Sequence, residues 1–339
     1  MSRFHPNEFW NDSCWPDELR RALSQGATGA TSNPPLMWKA IQQGDAADWR
    51  RVLDDGRPAT AEAAAWTLMR HLAVVCAQAL QPLWDQSQGK MGLLSVQVDP
   101  RRHADPDFMV NQAVEINRLA PNLSIKIPVT QAGLTAIEEL AARGVTTTAT
   151  VSFTLPQVVR VAETFRRGLV RARAGHANRP VQCFAVLMAG RLDDHLRDVA
   201  KEKGLDVGEK ALTSAGVAVV KKASRLFRDR GYESRLLVGA MRGPYHITEF
   251  MGADIVLTTP LNLHEVFAGA GGRFPARIDE PVSSDIVQEL SDKLPDFVRA
   301  YEEDGMAPDE FAGFGSTAKT LSQFVRAFED TTAFAGSLI

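Results

Sequence analysis

Leu123-Ser-Ile-Lys-Ile-Pro-Val129 is an apolar run with one ammonium group at its centre. Read as a strand, its alternation sends Leu123, Ile125, Ile127 and Val129 to one face and Ser124, Lys126 and Pro128 to the other. A lone lysine in such a run is costly unless it is paired or loses its proton. Three readings are open. Lys126 pairs with a buried carboxylate, or it reaches water from a strand end. Alternatively it is held near the neutral amine, which attacks carbonyls and forms Schiff bases.

Outward from this run, short apolar segments alternate with amphipathic ones along the whole chain. Strands are expected at 8–13, 29–32, 93–99, 123–129, 146–152, 182–189, 235–241 and 254–259. Helical periodicity marks 17–25, 60–83, 108–119, 131–143, 156–174, 208–230 and 245–251 between them. Several strands are apolar on both faces and rich in Val, Ile and Leu, as parallel strands covered by helices are. Eight such units without a Pro/Gly/Ser-rich linker predict an α/β fold, a closed (β/α)8 or TIM barrel over residues 1–282. Extra C-terminal helices over 283–339, at 285–301 and 317–328, are expected to pack on the barrel or its mouth. An open doubly wound sheet is the competing topology, but no Gly-x-Gly-x-x-Gly follows the first strand. Gly269-Ala-Gly-Gly272 reads as a flexible connection.

Composition excludes several classes. The 339 residues carry a formal net charge of −3, which makes no electrostatic case for nucleic acid or an anionic membrane. Cys14, Cys76 and Cys183 are too scattered for a disulfide framework. The N-terminus lacks the apolar core of a signal peptide, and no apolar stretch is expected to span a bilayer. The reading is a cytoplasmic protein, monomer or homodimer, binding neither nucleic acid nor membrane. The histidines show no metal-ligand spacing, so neither a metal nor a cofactor is expected. The basic stretch 165–173 reads as a solvated helix face.

In a barrel of this kind the active site lies at the C-terminal ends of the strands. Asp12, Asn33, Gln97, Asp99, Lys126, Thr148, Thr150, Ser152, Arg191 and Arg242 all stand there in the predicted register. Two arginines at neighbouring strand ends suit a phosphate monoester, because each can donate two parallel hydrogen bonds. The alternative for each is an ion pair with a loop carboxylate such as Asp193 or Asp194.

Five segments, in order and at these strand ends, resemble the transaldolase family of Schiff-base aldolases. They are Gly29-Ala-Thr-Ser-Asn-Pro34, Leu94-Ser-Val-Gln-Val-Asp-Pro-Arg101, Ser124-Ile-Lys-Ile-Pro128, Gly190-Arg-Leu-Asp-Asp194 and Gly239-Ala-Met-Arg242. The resemblance implies a barrel enzyme without a cofactor, acting on sugar phosphates. It makes Lys126 the Schiff-base lysine, Asp12 the acid/base and Thr150, with Gln97, the holder of a catalytic water. Asn33 and Thr148 would contact the bound three-carbon unit, and Arg191 and Arg242 its phosphate. The implied activity is transfer of a dihydroxyacetone unit from a ketose phosphate to an aldose acceptor, in central or specialised sugar metabolism such as the pentose phosphate pathway. A fructose-6-phosphate-aldolase-like lyase and a non-catalytic binding barrel are the alternatives. The chain departs from the family pattern at Gln97 (usually Glu), Thr148 (Asn), Val186 (Ser), Met188 (Phe) and Ala240 (Ser). The nucleophile, base and arginines are kept while the lining changes, which suits an altered substrate.

Overall fold

The computed structural model describes residues 7–174, 181–269 and 274–339. Its eight strands are β1 (Glu8–Asn11), β2 (Gly29–Thr31), β3 (Leu93–Gln97), β4 (Leu123–Pro128), β5 (Thr147–Thr150), β6 (Cys183–Met188), β7 (Arg235–Gly239) and β8 (Ile255–Thr259). They close a parallel barrel in sequence order. The helices between strands are α1 (Pro16–Ser24), α2 (Pro34–Gln43), α3 (Ala46–Gly56), α4 (Ala61–Gln86), α5 (Pro106–Asn117), α6 (Gln131–Ala142), α7 (Leu155–Ala174), α8 (Ala189–Glu202), α9 (Glu209–Asp229) and α10 (Pro244–Glu249). After the last strand come α11 (Leu261–Gly269), α12 (Ser284–Lys293), α13 (Pro295–Tyr301) and α14 (Gly315–Gly336). The chain is therefore a (β/α)8 barrel with extra C-terminal helices, as its alternating pattern predicts.

Trp10 fills the barrel's interior, its ring 4.8 Å from that of Phe184. The Trp10 ring lies over Gly29, where any Cβ would sit 2.6 Å from it, so β1 and β2 meet only because residue 29 is glycine. At the opposite, C-terminal ends of the strands, polar side chains start the outgoing helices. Asn33 Oδ1 accepts the Leu36 N–H, capping α2, and Thr130 Oγ1 accepts the Gly133 N–H, capping α6. The caps fix the direction in which the chain leaves the mouth.

Three expectations need correction. Residues 285–301 are two helices, because Pro295 lacks the N–H that a continuing helix needs and opens α13 instead. The excursion from β2 to β3 holds α2 and α3 before α4; α3 buries only Trp49 and Leu53, too few to show a period. Finally, α4 is long and apolar enough, by length and composition, to cross a membrane. Nine of its residues are buried among α3, β3 and α14. The Gly269–Gly272 connection lies, beyond Gly269, outside the described residues, as does the extreme N-terminus.

The basic face of α7 is solvated and ion-paired: Arg166 with Glu233, Arg167 with Glu138, and Arg171 with Glu138 and Glu139. α14 runs across part of the mouth, packing on α2 and α4 and touching α8.

Candidate active site

Lys126 lies on β4, 6% exposed, in register with Gln97 of β3 on one side and Thr148 of β5 on the other. Among the described residues no carboxylate pairs with its amine and no protein group hydrogen-bonds it. Burial pushes its ammonium from the ordinary 10.5 down to about 8, against the pull of the Asp12 carboxylate. The Cys14 thiol also lies within reach, but burial holds that thiol well above its own ordinary range, so near neutral pH it carries no charge to oppose the shift. Of the three readings open for this lysine, the buried ion pair is thus removed.

The amide of Gln97 is 3% exposed, and among the described residues neither its Oε1 nor its Nε2 has a protein partner. A buried primary amide left so costs free energy unless a ligand or water meets it. Thr150 is 2% exposed, and its hydroxyl has no protein partner among the described residues. Thr148 differs. Its Oγ1 lies 2.9 Å from Ser95 Oγ and 2.7 Å from Ser124 Oγ. Those serines precede Gln97 and Lys126 by two residues on their strands, so Thr148 turns toward the layer beneath the amine.

Asp12 follows β1. Thr31 Oγ1 donates to its Oδ1 at 2.7 Å, which leaves Thr258, 2.7 Å away, to donate to Thr31. Oδ2 has no protein donor among the described residues. Asn33 Oδ1 caps α2, and among the described residues its Nδ2 has no protein partner, so that donor is available to a ligand.

The chain after β5 is strained. Val151 adopts φ +56°, a left-handed conformation that a β-branched residue enters at a cost of about 1–3 kcal/mol. The buried Gln157 side chain holds this turn. Its Nε2 donates to Val129 and Val151 carbonyls, each at 3.3 Å, and its Oε1 accepts the Phe153 N–H at 2.9 Å. Gln157 therefore ties the ends of β4 and β5 together around Lys126 and Thr150. It escaped sequence reading because it sits in a helix, where a lone glutamine carries no signal.

The two arginines meet at the ends of β6 and β7. A Cβ on Gly190 would collide with the Ala240 carbonyl, so glycine is needed for this approach. Arg242 takes the ion-pair alternative. Its Nε and Nη2 donate to Asp194 Oδ2 at 3.0 and 2.6 Å, and Nη1 donates to the Ala240 carbonyl at 3.0 Å. Arg191 does not: no carboxylate pairs with it among the described residues. Its Nη1 donates instead to Gln323 Oε1 at 2.6 Å and Thr320 Oγ1 at 3.3 Å, both on α14. Burial, and then the charge of Arg242, depress its basicity. A guanidinium in the first turn of α8 also opposes the helix dipole. Two neighbouring cations with one carboxylate between them leave an excess positive charge that an anion would relieve. Val186 and Met188, on the inner side of β6, give the wall of this region an apolar character.

The site thus gathers a solitary buried amine, a carboxylate with one free oxygen, an unpartnered amide and hydroxyl, and an under-neutralised pair of arginines. Such a set can attack a carbonyl, move one proton and hold a phosphate. Among the described residues no three His, Cys, Asp or Glu side chains gather as metal ligands.

Comparison with known proteins agrees with this geometry. Residues 9–333 match the family described as transaldolase/fructose-6-phosphate aldolase. A transaldolase of Mycolicibacterium paratuberculosis is 32% identical over 223 residues, covering 63% of this chain and 59% of that protein. Transaldolases of Mycobacterium tuberculosis and Mycobacterium marinum are each 29% identical over 229 residues, 65% of this chain and 61% of theirs. The chain thus spans about three fifths of the length of these relatives.

Proposed function

The chain belongs to the transaldolase/fructose-6-phosphate aldolase family, and from that premise we propose that it transfers a dihydroxyacetone unit between sugar phosphates through a Schiff base on Lys126. One observation carries the reading: among the described residues the buried Lys126 amine has no protein partner, and it stands in register with Gln97, whose amide has none either. The neutral amine adds to the C2 carbonyl of a ketose phosphate. Loss of water, held by Thr150 and Gln97, gives an iminium ion. Asp12 accepts the C4 hydroxyl proton, the C3–C4 bond breaks, and its electron pair is taken up by the iminium as an enamine. The aldose phosphate leaves, and a second aldose phosphate takes its place on Arg191 and Arg242. The enamine attacks the new carbonyl, Asp12 returns its proton, and hydrolysis frees Lys126. Asn33 Nδ2 donates to the bound three-carbon unit, and Thr148 supports it from the layer beneath. Cytoplasmic sugar metabolism is the setting such substrates imply.

Gln97 favours a second reading. An amide orients water but cannot accept its proton, so the balance between transfer and simple cleavage differs from that of a chain with glutamate there. Adding an aldose-phosphate acceptor separates the two outcomes.

The test is borohydride reduction with fructose 6-phosphate, followed by peptide mass spectrometry. A three-carbon adduct on Lys126 is expected; a folded protein that gives none with any ketose phosphate overturns the proposal. For the anion site, Arg242→Ala is expected to raise KM roughly 10- to 100-fold for phosphorylated substrates, the worth of a charged bidentate contact. KM for dihydroxyacetone should barely move. Equal effects on both would assign Arg242 to the Asp194 ion pair alone.

A further inference from the structure

Behind the arginine pair lies a buried couple that the proposed chemistry leaves unused. His246 of α10 is 0% exposed and Asp193 of α8 is 1% exposed, and Nε2 meets Oδ2 at 2.9 Å. The other carboxylate oxygen accepts the backbone N–H of Gly216 on α9 at 2.7 Å. On the far side of the ring, Nδ1 lies 3.0 Å from the backbone nitrogen of Arg242. That N–H can only donate, so Nδ1 is the bare, accepting nitrogen. Nε2 then carries the hydrogen that Asp193 receives. Tyr245 tilts against the ring at 4.3 Å and Phe250 stacks behind it at 6.1 Å, so the imidazole is wedged in one orientation.

The backbone this couple grips is unusual. Ala240, two residues before Arg242, has φ +56°, outside the ordinary range for a residue with a Cβ. The turn persists only if its surroundings determine it. The Arg242 N–H bond to His246 is one such restraint, and the packing of Arg242 over Gly190 is another.

We infer that Asp193 and His246 are positioning residues for Arg242: the carboxylate fixes the imidazole as its Nε2–H tautomer, and the bare Nδ1 fixes the turn that aims the Arg242 guanidinium beside Arg191. This inference rests on the phosphate-binding reading given above.

The chain of donors makes an asymmetric prediction. Asp193→Asn keeps shape but must present its NH2 either to Gly216 N–H or to His246 Nε2. The first leaves two donors facing each other. The second forces the Nδ1–H tautomer, which faces the Arg242 N–H donor instead. Either way one link of the chain breaks, by the logic through which amide replacement of a histidine-orienting aspartate traps the wrong tautomer.

The test uses the full chain, nitrogen-15 labelled, titrated with inorganic phosphate and followed at the Arg242 amide, with imidazole nitrogen spectra reporting the tautomer. Wild type is expected to show an Nε2–H tautomer and a phosphate-dependent shift at Arg242. Asp193→Asn is expected to raise the phosphate Kd about tenfold or more, on the scale of a lost charged contact. Should that variant not fold, His246→Asn and His246→Gln serve. Asn carries its oxygen near the place of Nδ1 and should retain more phosphate affinity than Gln, whose amide falls near Nε2. A folded Asp193→Asn with wild-type affinity, or equal affinities for the two His246 variants, overturns the inference alone. A wild type that forms the Lys126 adduct yet shows no phosphate response at Arg242 overturns the phosphate-site reading and this inference with it.

Discussion

Lys126→Met is expected to lower kcat roughly ten-thousand-fold or more, the scale of removing a covalent nucleophile, and at the same time to raise the melting temperature. Both effects come from one fact: the amine is buried with no partner among the described residues. A shift from 10.5 to about 8 means that the folded protein disfavours the charged form by roughly 3 kcal/mol. Methionine keeps the unbranched shape and removes the charge. The sign of the pH dependence follows. Below about 8, Lys126 is protonated in both folded and unfolded chains and the penalty is complete. Between about 8 and 10.5 the unfolded chain holds a proton that the folded one has released, so wild-type stability climbs with pH through that window. Melting curves from pH 7 to pH 10 should therefore show the variant's advantage shrinking as pH rises. Activity should follow the same group: kcat/KM for the ketose rises with pH, is half-maximal near 8 and levels above it, because only roughly a tenth of the amine is neutral at pH 7. A variant no more stable than wild type at pH 7 would mean that the amine reaches a partner after all.

The part of this arrangement legible in the sequence is the part that periodicity encodes. Alternation placed Lys126 inward on β4, and the succession of apolar runs implied a closed barrel with Asp12, Gln97, Arg191 and Arg242 at one end. What stayed hidden has two physical sources. The first is dihedral sign. Residues 146–152 and 235–241 read as uninterrupted strands, yet β5 ends at Thr150 and β7 at Gly239 because Val151 and Ala240 turn left-handed. Neither residue type announces that conformation. Both turns border the site, where local rules are most often broken. The second is distance along the chain. Asp193 and His246 are 53 residues apart, and Arg191 and Gln323 are 132 apart. No spacing rule joins such pairs; only the packing of α8 against its neighbours does. The same applies to α14, whose Thr320 and Gln323 hold Arg191 where an ion pair with Asp194 was the sequence alternative.

Asp12→Asn should separate two steps that Lys126→Met abolishes together. Its kcat is expected to fall roughly 100- to 10,000-fold, the range for loss of a positioned general base, while borohydride still traps the ketose on Lys126. Geometry favours this outcome. An asparagine oxygen can accept from Thr31 as Asp12 Oδ1 does, so the side chain keeps its place. The amide nitrogen then replaces the free Oδ2 and cannot take the C4 hydroxyl proton. The substitution also removes the one negative charge that holds the Lys126 ammonium up against burial. Without it the amine becomes less basic still, so the rising limb of the pH profile for adduct formation should move below about 8. The variant would then attack carbonyls more readily at neutral pH while failing to break the C3–C4 bond, and a stalled iminium should accumulate. Two results would count against this division of labour. Loss of the adduct would make Asp12 necessary for imine formation itself. A limb that stays near 8 would mean that the carboxylate does not act on the amine, and that the depressed basicity of Lys126 is set by burial alone.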